Sequence, residues 1–349
     1  MIDSSKITID KEILSLIAEI DEFKGAWKLL GSLMPERLQQ LKKVATIESV
    51  GSSTRIEGVK LSDKEVEALL SDIKIDSFKS RDEQEVAGYA LACQEIFDSY
   101  PHIPLTENII KQLHRWLLTY STKDERHRGE YKKFPNHVEA FGPDGKSLGI
   151  IFQTASPFET PKKMEELVAW TKKTLADKEL HPLLVIAIFI VVFLAIHPFQ
   201  DGNGRLSRLL TTLLLLQQGY TYVPYSSLES IIEKNKEAYY RALRKTQATL
   251  DKDTPNFNPW LLFFLRSLLK QKQHLELKIE REKKLAIDLP KASTLIIRLI
   301  EEHGKLSVGQ IVSLTGINRN SVKKHLQALV KAKHIEKHGK GRATGYTLI

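Results

Sequence analysis

Cysteine is almost missing from the 349-residue chain: Cys93 stands alone, within the apolar stretch Ala90-Leu91-Ala92-Cys93. One thiol cannot form an internal disulfide, and no other Cys or His stands at zinc-ligand spacing, so a disulfide scaffold and a Cys-based zinc site are both excluded. The expectation is a small buried core residue in a reducing, cytoplasmic setting. The start, Met1-Ile2-Asp3-Ser4-Ser5-Lys6, lacks the basic-then-apolar order of a signal peptide. Long hydrophobic runs are also scarce. Leu183–Ile196 is the one candidate, and its fourteen apolar residues fall short of the ~20 needed to cross a bilayer. A helix buried on every side is expected there, with no membrane partner. Internal repeats and low-complexity tracts are absent.

What is present is ordinary globular composition, 42% hydrophobic and 27% charged, which argues against wholesale disorder. The net charge of +9 is unevenly spread: residues 291–349 hold eight Lys, three Arg and three Glu, and so carry all but one unit of it. The basic character belongs to the tail. Apolar residues recur at helical spacing through 11–48, and further helices are expected from Ser62, over 81–99, 106–119, 162–175 and much of 183–270. Residues 126–160 break the pattern. Phe141-Gly142-Pro143-Asp144-Gly145-Lys146 reads as a turn between two short β-segments over 137–154. Lys270–Leu289 is dominated by charge without Gly or Ser, which predicts a helical connector.

The segment that carries chemistry is His197-Pro198-Phe199-Gln200-Asp201-Gly202-Asn203-Gly204-Arg205-Leu206-Ser207-Arg208. Two glycines around Asn203 let the backbone turn tightly and bring N–H groups near a ligand. They lead into an apolar helix, and a helix N-terminus favours anions. Arg205 and Arg208, three apart on its first turn, oppose the helix dipole unless an anion lies between them. Asp201 offers a hard oxygen for Mg²⁺ shared with phosphates, and His197 has the ordinary pKa of a general base. Each piece alone is commonplace; their conjunction within twelve residues fits attack of a hydroxyl on phosphorus.

This segment resembles the signature of the Fic family, H-x-F-x-[D/E]-G-N-G-R-x-x-R, at every specified position. The resemblance implies a mainly α fold with a helical core and a short β-hairpin flap, taking ATP with Mg²⁺ and moving AMP to Ser, Thr or Tyr of a target protein. It implies His197 as base, Asp201 as Mg²⁺ ligand, Gly202, Asn203 and Gly204 lining the anion pocket, and Arg205 and Arg208 on the outer phosphates. Phe199 would anchor the loop in the core. Upstream, Ser53-Thr54-Arg55-Ile56-Glu57-Gly58 resembles the family's inhibitory pattern [S/T]-x-x-x-E-[G/N], which implies that Glu57 pairs with Arg208 and restrains the enzyme. Tyr240 and Leu243 correspond to positions beside the adenine, although a plain helical core accounts for them equally well. AMP removal, transfer of another phosphate-containing group, and a regulator that merely senses nucleotide stay open, as does a homodimer.

The expected organisation is an N-terminal helical region with the inhibitory helix over 1–105, a catalytic core over 106–269, a connector over 270–290 and a small domain over 291–349. Within the last, three helices, the turn Thr315-Gly316-Ile317 and two strands around a Gly-rich basic wing resemble a winged helix-turn-helix. Arg319, Asn320, Lys323 and Lys324 would face outward, with Lys340 and Arg342 in the wing, as DNA contacts.

Overall fold

The computed structural model describes residues 2–30, 35–71, 78, 80–141, 147–339 and 344–349. It divides into two compact units, Met1–Gln273 and His274–Ile349.

The first unit opens with α1 (Lys11–Leu30) and α2 (Pro35–Ile56). The apolar spacing of α1 becomes a buried stripe of Ile13, Leu16, Ile17, Ile20, Phe23 and Trp27. Next come α3 (Asp63–Ser71), α4 (Arg81–Ser99) and α5 (Glu107–Leu117). Side chains define the starts of these three: Ser62 and Glu65 cap α3 reciprocally, Ser80 accepts from Glu83 N–H, and Thr106 accepts from Ile109 N–H. Strands β1 (Val138–Phe141) and β2 (Ser147–Phe152) pair antiparallel, with Glu139 opposite Ile150 and Ala140 opposite Gly149. The Gly-Pro-Asp-Gly-Lys turn expected at their tip lies outside the described residues.

Helices α6 (Thr160–Asp177), α7 (Pro182–Ile196) and α8 (Asn203–Gln217) then build the centre, followed by α9 (Leu228–Lys234), α10 (Lys236–Gln247) and α11 (Asn258–Asp288). Pro182 occupies the first helical position of α7, where its missing N–H costs nothing. Nearly every side chain of α7 is buried, as the unbroken apolar run requires. Each buried Leu, Ile, Val or Phe contributes roughly 1.5–3 kcal/mol, so this helix fixes where its last residue, and the loop after it, must stand. It packs against α6 and α8, while α4 and α5 also pack on α8. No helix among the described residues is long and apolar enough to cross a membrane.

The second unit contains α12 (Lys291–His303), α13 (Val308–Thr315), α14 (Arg319–Lys331) and the antiparallel pair β3 (Ile335–His338) and β4 (Gly345–Leu348). Ser307 and Gln310 form a capping box, Gly316 ends α13 at φ +68°, and Asn318 caps α14. Ile296, Ile297, Ile300, Ile311, Val322, Leu326, Leu329 and Ile335 make its core.

Candidate active site

The site lies where α7 ends and α8 begins. Helix α7 stops at His197, whose N–H donates to Phe193 O at 2.8 Å and whose backbone is left-handed at φ +53°. That conformation usually falls to glycine at a helix end, so a histidine here is held by its surroundings. Its Nδ1 lies 3.2 Å from Leu194 O. A carbonyl only accepts, so Nδ1 carries the proton and Nε2 keeps its lone pair. Burial, with Lys132 adding to it, lowers the imidazole pKa to about 4 although the Leu194 bond opposes the shift. At neutral pH the ring is a neutral base with its acceptor nitrogen available.

The loop is clamped from within. Asn203 Oδ1 accepts from Phe199 N–H at 2.9 Å and its Nδ2 donates to Phe199 O at 2.7 Å. Both polar atoms of Asn203 therefore close the loop on itself, instead of turning to an anion. The Phe199 ring is fully buried and stacks on His114 at 3.9 Å between centroids, the anchoring role read from its place in the motif. His114 Nε2 donates to Asp201 O at 3.0 Å while its Nδ1 accepts from Gly129 N–H at 2.9 Å, and burial lowers its pKa to about 4.

Lys132 holds the loop's other side. Its N–H donates to Pro198 O at 2.8 Å, and its Nζ donates to Ile196 O, Thr154 Oγ1 and Asn136 Oδ1. Burial lowers this ammonium to about pKa 8. Asn136 Nδ2 in turn donates to Phe199 O at 2.6 Å. None of His114, Lys132, Asn136 and Thr154 was legible as a site residue: each lies 40 or more residues from the loop and follows no spacing rule relative to it.

Gly202 caps α8 at φ +80°, and its N–H donates to Asp201 Oδ1 at 2.5 Å. Asp201 Oδ1 also meets Arg205 Nη2, and Oδ2 meets Arg81 Nη2, both at 3.2 Å. Burial would raise this carboxyl, but Arg205, the Gly202 N–H and Arg81 together hold it below its ordinary value. Asp201 is therefore ionised, and its side chain stays 36% exposed. Arg205, itself buried, pairs with Glu85 Oε2 at 2.7 Å as well. The two motif arginines thus do not share one partner: Arg205 belongs to the Glu85–Asp201–Arg81 cluster.

Arg208 sits apart from that cluster. Its Nε donates to Ser53 Oγ at 2.7 Å, and its Nη2 donates to Ser53 O at 2.8 Å and Glu57 Oε1 at 2.7 Å. Nη1 is buried without a hydrogen-bond partner. Burial opposes the charge, but Glu57 outweighs it and raises the guanidinium pKa. The Glu57 carboxylate also lies against Gly204: a Cβ there would overlap Oε1. So the Glu57 carboxylate, one residue past the end of α2, sits at the anion-favouring start of α8, Ser53 meets Arg208 further along that helix, and a larger residue at 204 would displace Glu57. Tyr240 and Leu243 lie on α10, the first partly exposed and the second buried. Burial and the nearby Glu57 carboxylate raise the Tyr240 phenol, which places its ring within electrostatic reach of the same pair.

In the second unit, Arg319, Asn320, Lys323 and Lys324 are exposed on α14. Lys340 and Arg342, expected in the wing, lie outside the described residues. A separate cleft of about 690 Å³, lined by Pro135, His137, Thr154, Glu159, Ile196 and Phe257 among others, contains none of the motif residues that carry side-chain chemistry.

Residues 104–215 match the Fic/DOC family. Over 209 residues the chain is 29% identical to Protein adenylyltransferase Fic of Drosophila melanogaster, covering 59% of this chain and 38% of that protein. For its Drosophila virilis counterpart the figures are 30% over 210 residues, covering 59% of this chain and 39% of that protein. The chain spans about two fifths of the length of these relatives. Among solved structures, a Fic family protein from Desulfovibrio desulfuricans G20 superposes with a TM-score of 0.61 at 24% identity, covering 98% of this chain and 97% of that one. A Fic domain containing signaling protein from Bacteroides thetaiotaomicron gives 0.59 at 26%, over 74% of this chain and 97% of its own. The residues that match the Fic/DOC family contain the whole His197–Arg208 loop.

Proposed function

We propose that this protein transfers AMP from ATP to a hydroxyl side chain of a target protein, and that Glu57 restrains it. The observation that carries the reading is a neutral His197 with an unprotonated Nε2, within electrostatic reach of the Glu57 carboxylate that pairs with the buried Arg208. The name shared by the Drosophila relatives supports the same chemistry.

In this reading the target hydroxyl gives its proton to His197 Nε2 as its oxygen attacks the α-phosphorus. The bond from that phosphorus to the β-phosphate oxygen breaks, pyrophosphate leaves, and the imidazolium later returns its proton to solvent. Arg208 holds the outer phosphates, with its unpartnered Nη1 and, once Glu57 moves, its Nη2 as donors. The N–H groups at the start of α8 face the same anion. Asp201, ionised and partly exposed, is the kind of single carboxylate from which Mg²⁺ is held when phosphates and water fill its other positions. When bound, that ion offsets charge building on the phosphate oxygens. Arg205 and Asn203 position the loop. Tyr240 and Leu243 border the base, and β1–β2 offers a strand edge for the target.

The test is ATP labelled separately at the α- and γ-phosphates, given to the Glu57→Gly protein with Mg²⁺. Label retained on protein from the α-position alone supports the reading. Retention from the γ-position indicates a kinase and ends it.

A second activity is favoured by one feature of the other unit, whose element order fits a winged helix. Arg319, Lys323 and Lys324 lie exposed on α14 with no acidic partner among the described residues. This is the charge pattern of a helix that binds DNA phosphates. Replacing Lys323 and Lys324 with alanine is expected to weaken duplex binding and to reduce the slope of log K against log salt by about 2. An unchanged slope assigns this face to protein docking.

A further inference from the structure

Arg55 stands two residues from both Ser53 and Glu57. On a helix that offset is about 200°, so while Ser53 turns to Arg208, Arg55 turns the other way, towards α9. Its guanidinium is fully engaged. Nε donates to Glu233 Oε1 at 2.7 Å and Nη2 to Oε2 at 3.0 Å, a two-pronged pair. Nη1 donates to Leu61 O at 3.0 Å and meets Asp63 Oδ1 at 2.9 Å, and Nη2 also reaches Ser52 Oγ. Glu233 lies in the last turn of α9 and Asp63 is the first residue of α3. One side chain therefore joins the end of α2 to two neighbouring helices. Arg55 and Glu233 are 22% and 28% exposed, shielded enough for the pair to matter and wet enough for it to open.

Glu57 needs such a hold. It follows the last helical residue of α2, and the next position, Gly58, has φ +107° with nothing within 4 Å of where a Cβ would stand. No packing at Gly58 keeps the carboxylate in place. We propose that the Arg55–Glu233 pair is the latch that holds Glu57 on Arg208, making Arg55 and Glu233 positioning residues that set the strength of restraint. The proposal rests on the AMP-transfer reading and on Glu57 as its brake.

The measurement is self-modification with Mg²⁺ and ATP, followed by intact mass, for Glu233→Ala, Glu233→Gln, Arg55→Lys and Glu57→Gly, with melting temperatures alongside. Glu233→Ala is expected to raise the rate about three- to tenfold, in keeping with the worth of a partly shielded two-pronged pair. Glu233→Gln and Arg55→Lys, which keep shape or charge but not the fork, shift it less in the same direction. In the Glu57→Gly background, Glu233→Ala should add nothing, a non-additivity that a purely structural role would not produce. If Glu57→Gly accelerates the enzyme but the Glu233 and Arg55 variants do not, or if the effects multiply, the latch is overturned. If Glu57→Gly itself changes nothing, the underlying reading fails and takes the latch with it. Should Glu233→Ala fail to fold, Glu233→Gln and Arg55→Lys decide by the same criteria.

Discussion

In the Glu57→Gly protein, replacing His197 with alanine should cut AMP transfer about a thousandfold while leaving ATP binding nearly intact. General-base catalysis contributes about 10²–10⁴-fold, and no other unprotonated nitrogen has been placed on this loop. Lys132, the nearby amine, is spent on Ile196, Thr154 and Asn136. The split between rate and binding follows from His197 making its ring and N–H bonds to Leu194 O and Phe193 O of α7, away from the Arg208 guanidinium proposed for the phosphates. Single-turnover rates and equilibrium ATP titration of both proteins would check it. Equal rates would remove the imidazole from the chemistry. The pH profile sharpens the test. With a pKa near 4 the ring stays neutral down to about pH 5, so kcat/KM should show no step at the ordinary histidine value of ~6.5. The sign of the stability effect follows from the same shift. Between ~6.5 and about 4 the unfolded chain binds a proton at this residue and the folded chain does not, so folding weakens as pH falls through that window.

Replacing Glu57 with glycine should raise AMP transfer on the order of 10- to 100-fold. The carboxylate now takes Arg208 Nη2 at 2.7 Å and lies on Gly204 at the start of α8. One preorganised donor is worth about 10²–10³-fold, and Arg208 keeps its unpartnered Nη1 while Glu57 is in place, so the gain falls towards and below the lower end of that range. The same substitution strips a buried cation of its counter-charge, which is costly for folding. Its melting temperature should therefore fall without nucleotide and recover when ATP and Mg²⁺ are added. Self-modification followed by intact mass, with thermal melts at several ATP concentrations, measures both. A variant no faster than the parent would strip Glu57 of its inhibitory role and leave His197 untouched.

These residues show what spacing can and cannot reveal. The buried helix α7 was plain from its apolar run, and the motif singled out His197, Asp201, Arg205 and Arg208 because they lie within twelve residues of one another. The pairing of Glu57 with Arg208 spans 151 residues and was legible only through resemblance to a known pattern. What the chain order hides is which side of the loop each group faces. Asn203 sits between the two glycines of the motif, yet both its polar atoms turn to Phe199. Arg205 reads as a twin of Arg208, but Glu85 on α4 draws it into another cluster. That choice is made by helices packing from far along the sequence, which carry no periodic mark of it. The supports at His114, Lys132 and Asn136 were missed for the same reason.

The left-handed backbone at His197 sets two demands against each other. Glycine or asparagine would occupy φ +53° with less strain than an imidazole-bearing residue. If His197 is the base proposed above, the position trades foldability for reactivity. On that reading, selection for sturdiness alone would replace His197 with glycine or asparagine, leaving a well-folded protein without its proposed base.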